Sequence, residues 1–464
     1  MNTDTYRRRR SQLAERLRSA GGGLAIVMTA PEAMRSRDSE HPYRHDSYFH
    51  YLTGFDEPKS GLVLRADGHC TFFCRNKDVE QEIWEGRRLG PEAAPQALGV
   101  DEAHAIDEFD AKLPELIKHQ STVWTLFGAP GGLEQRVTGW LAGARDRSQH
   151  GNSNPGTHRD LAPLLDEMRL VKDADEIATM RRAAAISAGA HLRAMRYSVQ
   201  RFRAEPTGSV REYEIEAELL HEFRRQGAQS PAYTSIVAAG ANACVLHYAA
   251  SDALLKAGEL CLIDAGCELD GYASDITRTF PAAGRFSAAQ RELYDIVLAA
   301  QNAATAVTRP GARHRDAHHA AVRVLAQGML DTGLLNRDTH GQLDDVIASA
   351  AYRQFYMHGT GHWLGRDVHD AGEYLALDEA AVDQPDGLGG RVVKQPSRVL
   401  QPGMVVTLEP GLYVRPAEGV PEKYWNIGIR IEDDAVVTDN GCELISRGVP
   451  VKADEIEAWM ASTG

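Results

Sequence analysis

Leu262-Ile263-Asp264-Ala265-Gly266 places a carboxylate inside an apolar, strand-like segment, and Ala273-Ser274-Asp275-Ile276-Thr277-Arg278-Thr279-Phe280 places a second one soon after. No other feature narrows the fold as much. A buried carboxylate is costly unless it is paired or hydrogen-bonded. Such strands must therefore deliver both groups to a place where something cancels their charge. The turn Leu269-Asp270-Gly271 lets the two segments pair as a hairpin and bring the carboxylates together. Side by side they repel, raising one pKa unless a cation lies between them. The pair asks for a metal.

Three later segments supply further ligand types. Met357-His358-Gly359-Thr360-Gly361-His362-Trp363-Leu364-Gly365 is followed by Val368-His369-Asp370, so three imidazoles fall close together beside glycines. The spacing of His358 and His362 matches a zinc-protease helix, but Gly359 and Gly361 disfavour a helix and no Glu follows His358. Val406-Thr407-Leu408-Glu409-Pro410-Gly411-Leu412-Tyr413 and Gly428-Ile429-Arg430-Ile431-Glu432-Asp433-Asp434 each set a glutamate in an apolar strand. Arg430 is two positions from Glu432, on the same side of a strand, and so is placed to pair with it. Asp264, Asp275, His362, Glu409 and Glu432 together form an oxygen-rich set with one imidazole. That donor set suits a hard divalent ion such as Mn2+, with Zn2+ or Co2+ as alternatives, and four carboxylates balance two such ions.

Length and pattern point to two domains. Short apolar runs at Leu24–Met28, Gly61–Leu64 and Cys70–Cys74 alternate with helical stretches, which predicts an α/β domain over residues 1–170. The clearest linker-like stretch is Gly151-Asn152-Ser153-Asn154-Pro155-Gly156. From Lys172 the pattern changes to an α+β domain over 171–464, opening on a helix through Ile177–Met195 with acidic Asp173 and Asp175 ahead of it. A second helix is predicted over Glu212–Gln226, and others near 288–308 and 315–330. Strands are predicted near 235–247, 259–265, 272–280, 404–408, 412–415 and 427–438, and Leu375–Ser397, rich in Pro and Gly, as an irregular insertion or lid.

Composition removes several classes of function. A net charge of -14 argues against general affinity for nucleic acid or anionic membrane. The cluster Arg7-Arg8-Arg9-Arg10 lies in an amphipathic stretch and reads as a solvated helix face. No apolar run is long enough to span a bilayer, and six scattered Cys read as reduced thiols. The expectation is a soluble, cytoplasmic protein.

With these motifs in hand, the chain resembles aminopeptidase P, of the pita-bread metallopeptidases that also include prolidase, methionine aminopeptidase and creatinase. The resemblance runs over nearly the whole chain. It includes Tyr43–Phe55 and Glu82–Gly90 in the N-terminal half, and Leu246-His247-Tyr248 with the four metal motifs in the C-terminal half. It implies a pita-bread fold for the C-terminal domain. Asp264 would bind one metal, Asp275 and Glu432 would bridge two, and His362 and Glu409 would complete the second. His247, His358 and His369 fall on the family's three non-ligand histidines, and Tyr413 on a proline-pocket residue. Trp84 falls on a tryptophan that reaches a neighbouring subunit's site, and Asp38 on an acidic position of the N-terminal domain. One departure is the segment between His369 and Glu409, which is longer than in the bacterial aminopeptidase P pattern.

The resemblance implies a hydrolase that removes an N-terminal residue preceding proline, with Glu409 as base and His369 or His247 stabilising the intermediate. His358, Tyr413 and a neighbouring Trp84 would fit the proline ring. Peptides with proline in second place are the expected substrates, and a dimer or tetramer of this chain the expected assembly. The alternatives are a prolidase restricted to Xaa-Pro dipeptides and a non-catalytic pita-bread module that binds peptides.

Overall fold

The computed structural model describes residues 2–129, 132–146 and 155–462. Gly151–Asn154 of the linker-like stretch therefore lie outside the described residues. Two compact units divide at Met168 and Arg169.

The N-terminal unit is built on a six-stranded mixed sheet. Leu24–Met28 is central, antiparallel to Gly61–Arg65 and parallel to Thr122–Thr125. Gly61–Arg65 continues the sheet to Cys70–Cys74, and Glu102–Ala105 and Thr157–Asp160 form the edges. Strand alternation gives the sheet two apolar faces. Leu24, Ile26, Val63 and Phe73 pack with Phe109 and Trp140. Ala25, Val27, Leu62 and Phe72 pack with Leu13, Leu17 and Phe49. This is the α/β arrangement predicted.

The arginine cluster departs from expectation. Within the helix Thr3–Ser19, Arg9 and Arg10 are buried. Arg9 donates to the Tyr51 carbonyl at 3.2 Å, and Arg10 donates to the carbonyls of Leu52 at 2.9 Å and Gly99 at 2.7 Å. Both cations thus cap carbonyls near the C-terminal end of the helix Ser47–Thr53, which carries partial negative charge. An apolar pattern cannot reveal this role.

The C-terminal unit is α+β, as predicted. Its first helix, Ala174–Ala204, starts with a reciprocal cap in which the Asp173 side chain accepts from Glu176 N and the Glu176 side chain accepts from Asp173 N. Helices Glu212–Arg225, Ala288–Val307 and His314–Asp331 agree with the pattern. The strands are antiparallel. Ile236–Ala239, Leu260–Asp264 and Thr277–Pro281 make one sheet, Val405–Leu408, Asp433–Thr438 and Gly441–Leu444 another, and Gly411–Val414 pairs with Ile427–Arg430.

Three strand predictions ran too long. The segment from 235 stops at Ala239, where Gly240 turns at positive φ into a 3-10 turn held by a hydrogen bond from Asn242 to Glu212. The 272–280 run breaks between Ala273 and Thr277, and 427–438 breaks at Ile431 and Glu432. Conversely, 375–397 is not wholly irregular. Val382–Pro385 and Arg391–Lys394 pair as a hairpin. Among the described residues no helix is long and apolar enough to cross a membrane.

Beneath the His369 loop lies a buried charge network. Asp370 accepts from Arg169 Nη2 at 2.5 Å and Lys172 Nζ at 2.9 Å, and its N–H donates to the Trp363 carbonyl at 2.9 Å. Burial alone would raise the carboxyl pKa, but Lys172 and Arg169 hold it down at about 2. Removing one member of such a buried set leaves uncompensated charge. Asp370→Asn is expected to cost about 3 kcal/mol in chemical denaturation near neutral pH. Because the folded pKa lies below the unfolded value of 3.8, the stabilisation is complete above that value and is lost as pH falls through about 2. The gap between variant and wild type should narrow across that acidic window; a gap independent of pH there would sink the ion-pair account.

Candidate metal centre

The two aspartates are brought together by strand register. Leu260–Asp264 pairs antiparallel with Thr277–Pro281, placing Asp264 opposite Thr277 and two residues from Asp275. The crossing between them is tight, since a Cβ on Gly266 would lie 1.7 Å from the Ser274 carbonyl oxygen. The Tyr233 hydroxyl lies 2.6 Å from Asp264 Oδ1 and 2.5 Å from Asp275 Oδ1. Having one proton, it donates to only one of them at a time.

His362 arrives on a loop pressed against the strand Val405–Leu408. A Cβ on Gly361 would lie 1.9 Å from the Thr407 carbonyl oxygen, so no side chain fits there. Thr407 N donates to the His362 carbonyl at 2.9 Å. His362 Nδ1 lies 2.9 Å from the Trp363 carbonyl, which can only accept. Nδ1 therefore carries a proton, and Nε2 turns toward the carboxylates, 3.5 Å from Asp275 and 3.8 Å from Glu409. Such an outer hydrogen bond is what orients a ligating imidazole. Glu409 follows the same strand, its N–H donating to the Thr360 carbonyl at 2.7 Å. Glu432 sits in the strand break, its N–H donating to the Thr277 carbonyl at 3.1 Å and its Oε2 accepting from Thr277 Oγ1 at 2.6 Å.

The donor chemistry and electrostatics fit divalent cations. Among the described residues, Asp275, His362 and Glu432 offer one ligand atom each, all within 4.8 Å of one another. Burial, with the charges of Asp275 and Glu409, pushes Glu432 well above the usual carboxylate range. Burial, with Asp264, raises Asp275 against the pull of His362. Burial, with Asp275, raises Glu409 against His362 and Arg430. Burial would lower the His362 pKa, but Asp275 and Glu409 lift it to about 9. Together the groups concentrate negative charge where cations would relieve it.

All five of these residues line one pocket of about 790 Å3, and so do His247, His358, His369 and Arg430. The expected partner of Arg430 is corrected. Its Nη2 lies 2.6 Å from Asp264 Oδ2, not on Glu432, its Nη1 donates to the Tyr413 hydroxyl at 2.9 Å and its Nε donates to Thr277 Oγ1 at 3.2 Å. The strand ends at Arg430, so the alternation that would align it with Glu432 stops there. His358 completes a relay. Its Nδ1 donates to the Gly359 carbonyl, leaving Nε2 to accept from Tyr413 at 2.8 Å. Burial and then Arg430 lower the His358 pKa to about 3, so it is neutral. The His369 ring lies 4.1 Å from that of His362, and its pKa too is lowered, by burial and then His362.

Trp84 and Asp38 belong to the N-terminal unit. Trp84 is 86% exposed on the helix Val79–Glu85, and Asp38 sits in the exposed turn between Met34–Ser36 and Ser39–Glu40. A second ligand-type group there is His45, His50 and Asp56, whose imidazoles stack 3.8 Å apart with both Nε2 atoms turned to Asp56 Oδ1, at 3.8 Å and 2.9 Å.

Sequence reasoning missed Tyr233, Thr277 and Asp434. Tyr233 carries no local signal. Asp434, fully buried, accepts from Asp275 N at 3.2 Å, and burial with the charge of Asp275 pushes its pKa well up. Three acids in succession after an apolar strand were a usable sign of it.

Metallopeptidase family M24 matches residues 178–439, and the aminopeptidase P N-terminal domain matches residues 6–124. The chain is 43% identical to the Xaa-Pro aminopeptidase of Escherichia coli K12, over 98% of this chain and 97% of that protein. It is 41% identical to the Xaa-Pro aminopeptidase of Haemophilus influenzae, over 94% of this chain and 92% of the relative. The structure of Pseudomonas aeruginosa aminopeptidase PepP superposes with a TM-score of 0.89 at 45% identity, covering 100% of this chain and 99% of that one. A glutamate-to-alanine variant of E. coli aminopeptidase P in complex with substrate superposes with a TM-score of 0.90 at 42% identity, with the same coverage.

If Asp275 and Glu432 carry the metal charge, Asp275→Asn and Glu432→Gln should bind less than half the wild-type metal by elemental analysis. Each should also lose the thermal stabilisation that added Mn2+ gives wild type, about 3 kcal/mol at a hundredfold excess over Kd. Full metal content in either variant would remove the ligand assignment.

Proposed function

This chain belongs to metallopeptidase family M24, and from that premise we propose that it acts as an Xaa-Pro aminopeptidase, hydrolysing the bond between an N-terminal residue and a following proline. The observation that carries the reading is the convergence of four carboxylates and His362 beside the relay Arg430, Tyr413 and His358. The full-length likeness to two bacterial Xaa-Pro aminopeptidases, in both halves of the chain, supports it. The same coverage favours an aminopeptidase over a dipeptide-restricted prolidase.

Family membership implies divalent metal ions. Asp264, Asp275, His362, Glu409 and Glu432 would hold a pair of them, and their oxygen-rich donor set favours Mn2+. When bound, such ions acidify water and polarise a carbonyl. The chain's own groups do the rest. Glu409, buried among like charges, is a strong enough base to take a proton from attacking water. His369 and His247, on the same pocket, donate hydrogen bonds to the oxygen on which charge develops. His358 is neutral and lines the pocket, held from behind by the hydroxyl of buried Tyr413, so it presents an aromatic face without a competing charge. That face suits proline, whose tertiary amide nitrogen has no hydrogen to donate. Trp84, exposed with Val79 and Ile83 on one short helix, closes the proline pocket of a neighbouring copy, so the working form is a dimer or tetramer. The reading places the enzyme in the cytoplasm, acting on peptides.

Xaa-Pro-Yaa peptides should be hydrolysed at the Xaa-Pro bond by the Mn2+-loaded protein, and His369→Ala should lower kcat by about a hundredfold with metal content retained. Turnover of Xaa-Pro dipeptides alone would select prolidase, and turnover of neither would leave a binding module.

The shared site makes its own prediction. Trp84→Ala should raise KM without loss of metal. Mixed oligomers of Trp84→Ala and Asp275→Asn chains should regain activity, because some sites then combine an intact metal centre with an intact tryptophan. Absence of recovery in verified mixed oligomers would assign Trp84 to its own chain.

A further inference from the structure

A second cavity, of about 450 Å3, adjoins the metal centre and shares His358, Gly359 and Gly361 with it. Its cationic lining is Arg315, Arg353 and Lys394, and one carboxylate, Asp386, faces them. The imidazoles of His314 and His318 in the same wall are neutral, burial lowering their pKa to about 4 and about 3. Beyond burial, the charges of His319, Arg315 and Arg353 lower the His318 pKa further. Leu400, Val406 and Leu408 supply an apolar wall, against which a charge contact is stronger than in open water.

These cations are not consumed by structural pairing. Arg353 Nη2 donates to the Met357 carbonyl at 3.0 Å. The guanidinium of Arg315 and the ammonium of Lys394 form no ion pair among the described residues, whereas neighbouring Arg313 is paired with Glu379 at 2.7 Å. Asp386 is already engaged, accepting from Leu388 N at 2.7 Å and Gly390 N at 2.9 Å. Its hairpin forms the outer wall. A Cβ on Gly387 would lie 3.8 Å from Arg315 Nη2, and one on Gly389 would lie 2.9 Å from the Ser349 carbonyl oxygen.

We infer that this cavity is a subsite for a carboxylate carried by the peptide beyond its proline, either the C-terminal carboxylate of a short peptide or an acidic side chain. The inference rests on the Xaa-Pro aminopeptidase reading of the metal centre. Direction follows from the shared wall. His358 is common to both cavities, so a chain leaving a proline held against His358 has this second cavity beside it, with Arg315 and Lys394 in its lining. Preference among peptides is then set by charge on the leaving side as well as by proline itself.

The test compares kcat/KM for Xaa-Pro peptides with a free C-terminal carboxylate against their C-terminal amides. A second pair compares amidated peptides carrying Asp or Asn after the proline. Both series use Mn2+-loaded wild type, Arg315→Gln, Lys394→Gln and the double variant. In wild type at least one charged member should exceed its neutral counterpart about tenfold, mainly through KM, as one charge-assisted hydrogen bond would give. The ratio should fall to near one in the double variant. A response to the terminus or to Asp identifies the source of the carboxylate. Equal values for charged and neutral peptides in wild type overturn the inference and leave the peptidase reading standing. A ratio that survives the double substitution overturns it as well, because the carboxylate is then read elsewhere. Turnover of none of the peptides removes both readings.

Discussion

Carboxylates that converge in an apolar interior repel one another, and much of the C-terminal unit serves to cancel that repulsion. Arg430 takes Asp264. Tyr233 gives its single proton to Asp264 or Asp275. Thr277 accepts from Arg430 through its hydroxyl and donates from the same oxygen to Glu432, so one side chain joins the cation to an acid that the cation does not reach. His362 sits between Asp275 and Glu409. The charge still outstanding is the share that metal ions would take, and the antiparallel registers matter because they bring these partners together.

Three consecutive acids meet three different fates. Glu432 joins the cluster. Asp433 is clamped by Arg278 at 2.8 Å, Gln301 at 2.9 Å and Ser446 at 2.6 Å. Asp434 is raised well out of the usual carboxylate range and accepts from the backbone of Asp275. Arg278 also donates to the Glu432 carbonyl at 2.6 Å, so the fully paired Asp433 fixes the peptide that presents Glu432. Similar chemistry is thereby divided into a member of the acidic cluster, a strut and a backbone acceptor.

The pattern of polar residues in apolar strands made the site legible. Asp264, Asp275, Glu409 and Glu432 stand out because their flanks are apolar, and His362 because of its glycines. What stayed hidden depends on contacts between distant segments. Arg430 was matched to its neighbour in sequence, whereas its partner is 166 positions away. Tyr233 resembles any other strand-flanking tyrosine until Asp264 and Asp275 are brought to it. Pro385, Gly387 and Gly389 read as an irregular insertion or lid, yet Pro385 ends a strand and both glycines turn the hairpin at positive φ. Arg9 and Arg10 read as solvent-facing because no one-dimensional pattern shows which carbonyls they meet.

The separation of Arg430 from Asp264 also sets an order of events during synthesis. At roughly 5–20 residues per second, a ribosome that has just made Asp264 needs on the order of ten to thirty seconds to reach Arg430. Through that interval Asp264 and Asp275 exist without their guanidinium partner and without Glu432, and His362 and Glu409 join them only partway through. A nascent chain that captured an ion before His362 was made would do so with two carboxylates, a set that discriminates poorly among divalent metals. The full donor set, and the discrimination it would give, exists only once Glu432 has been made.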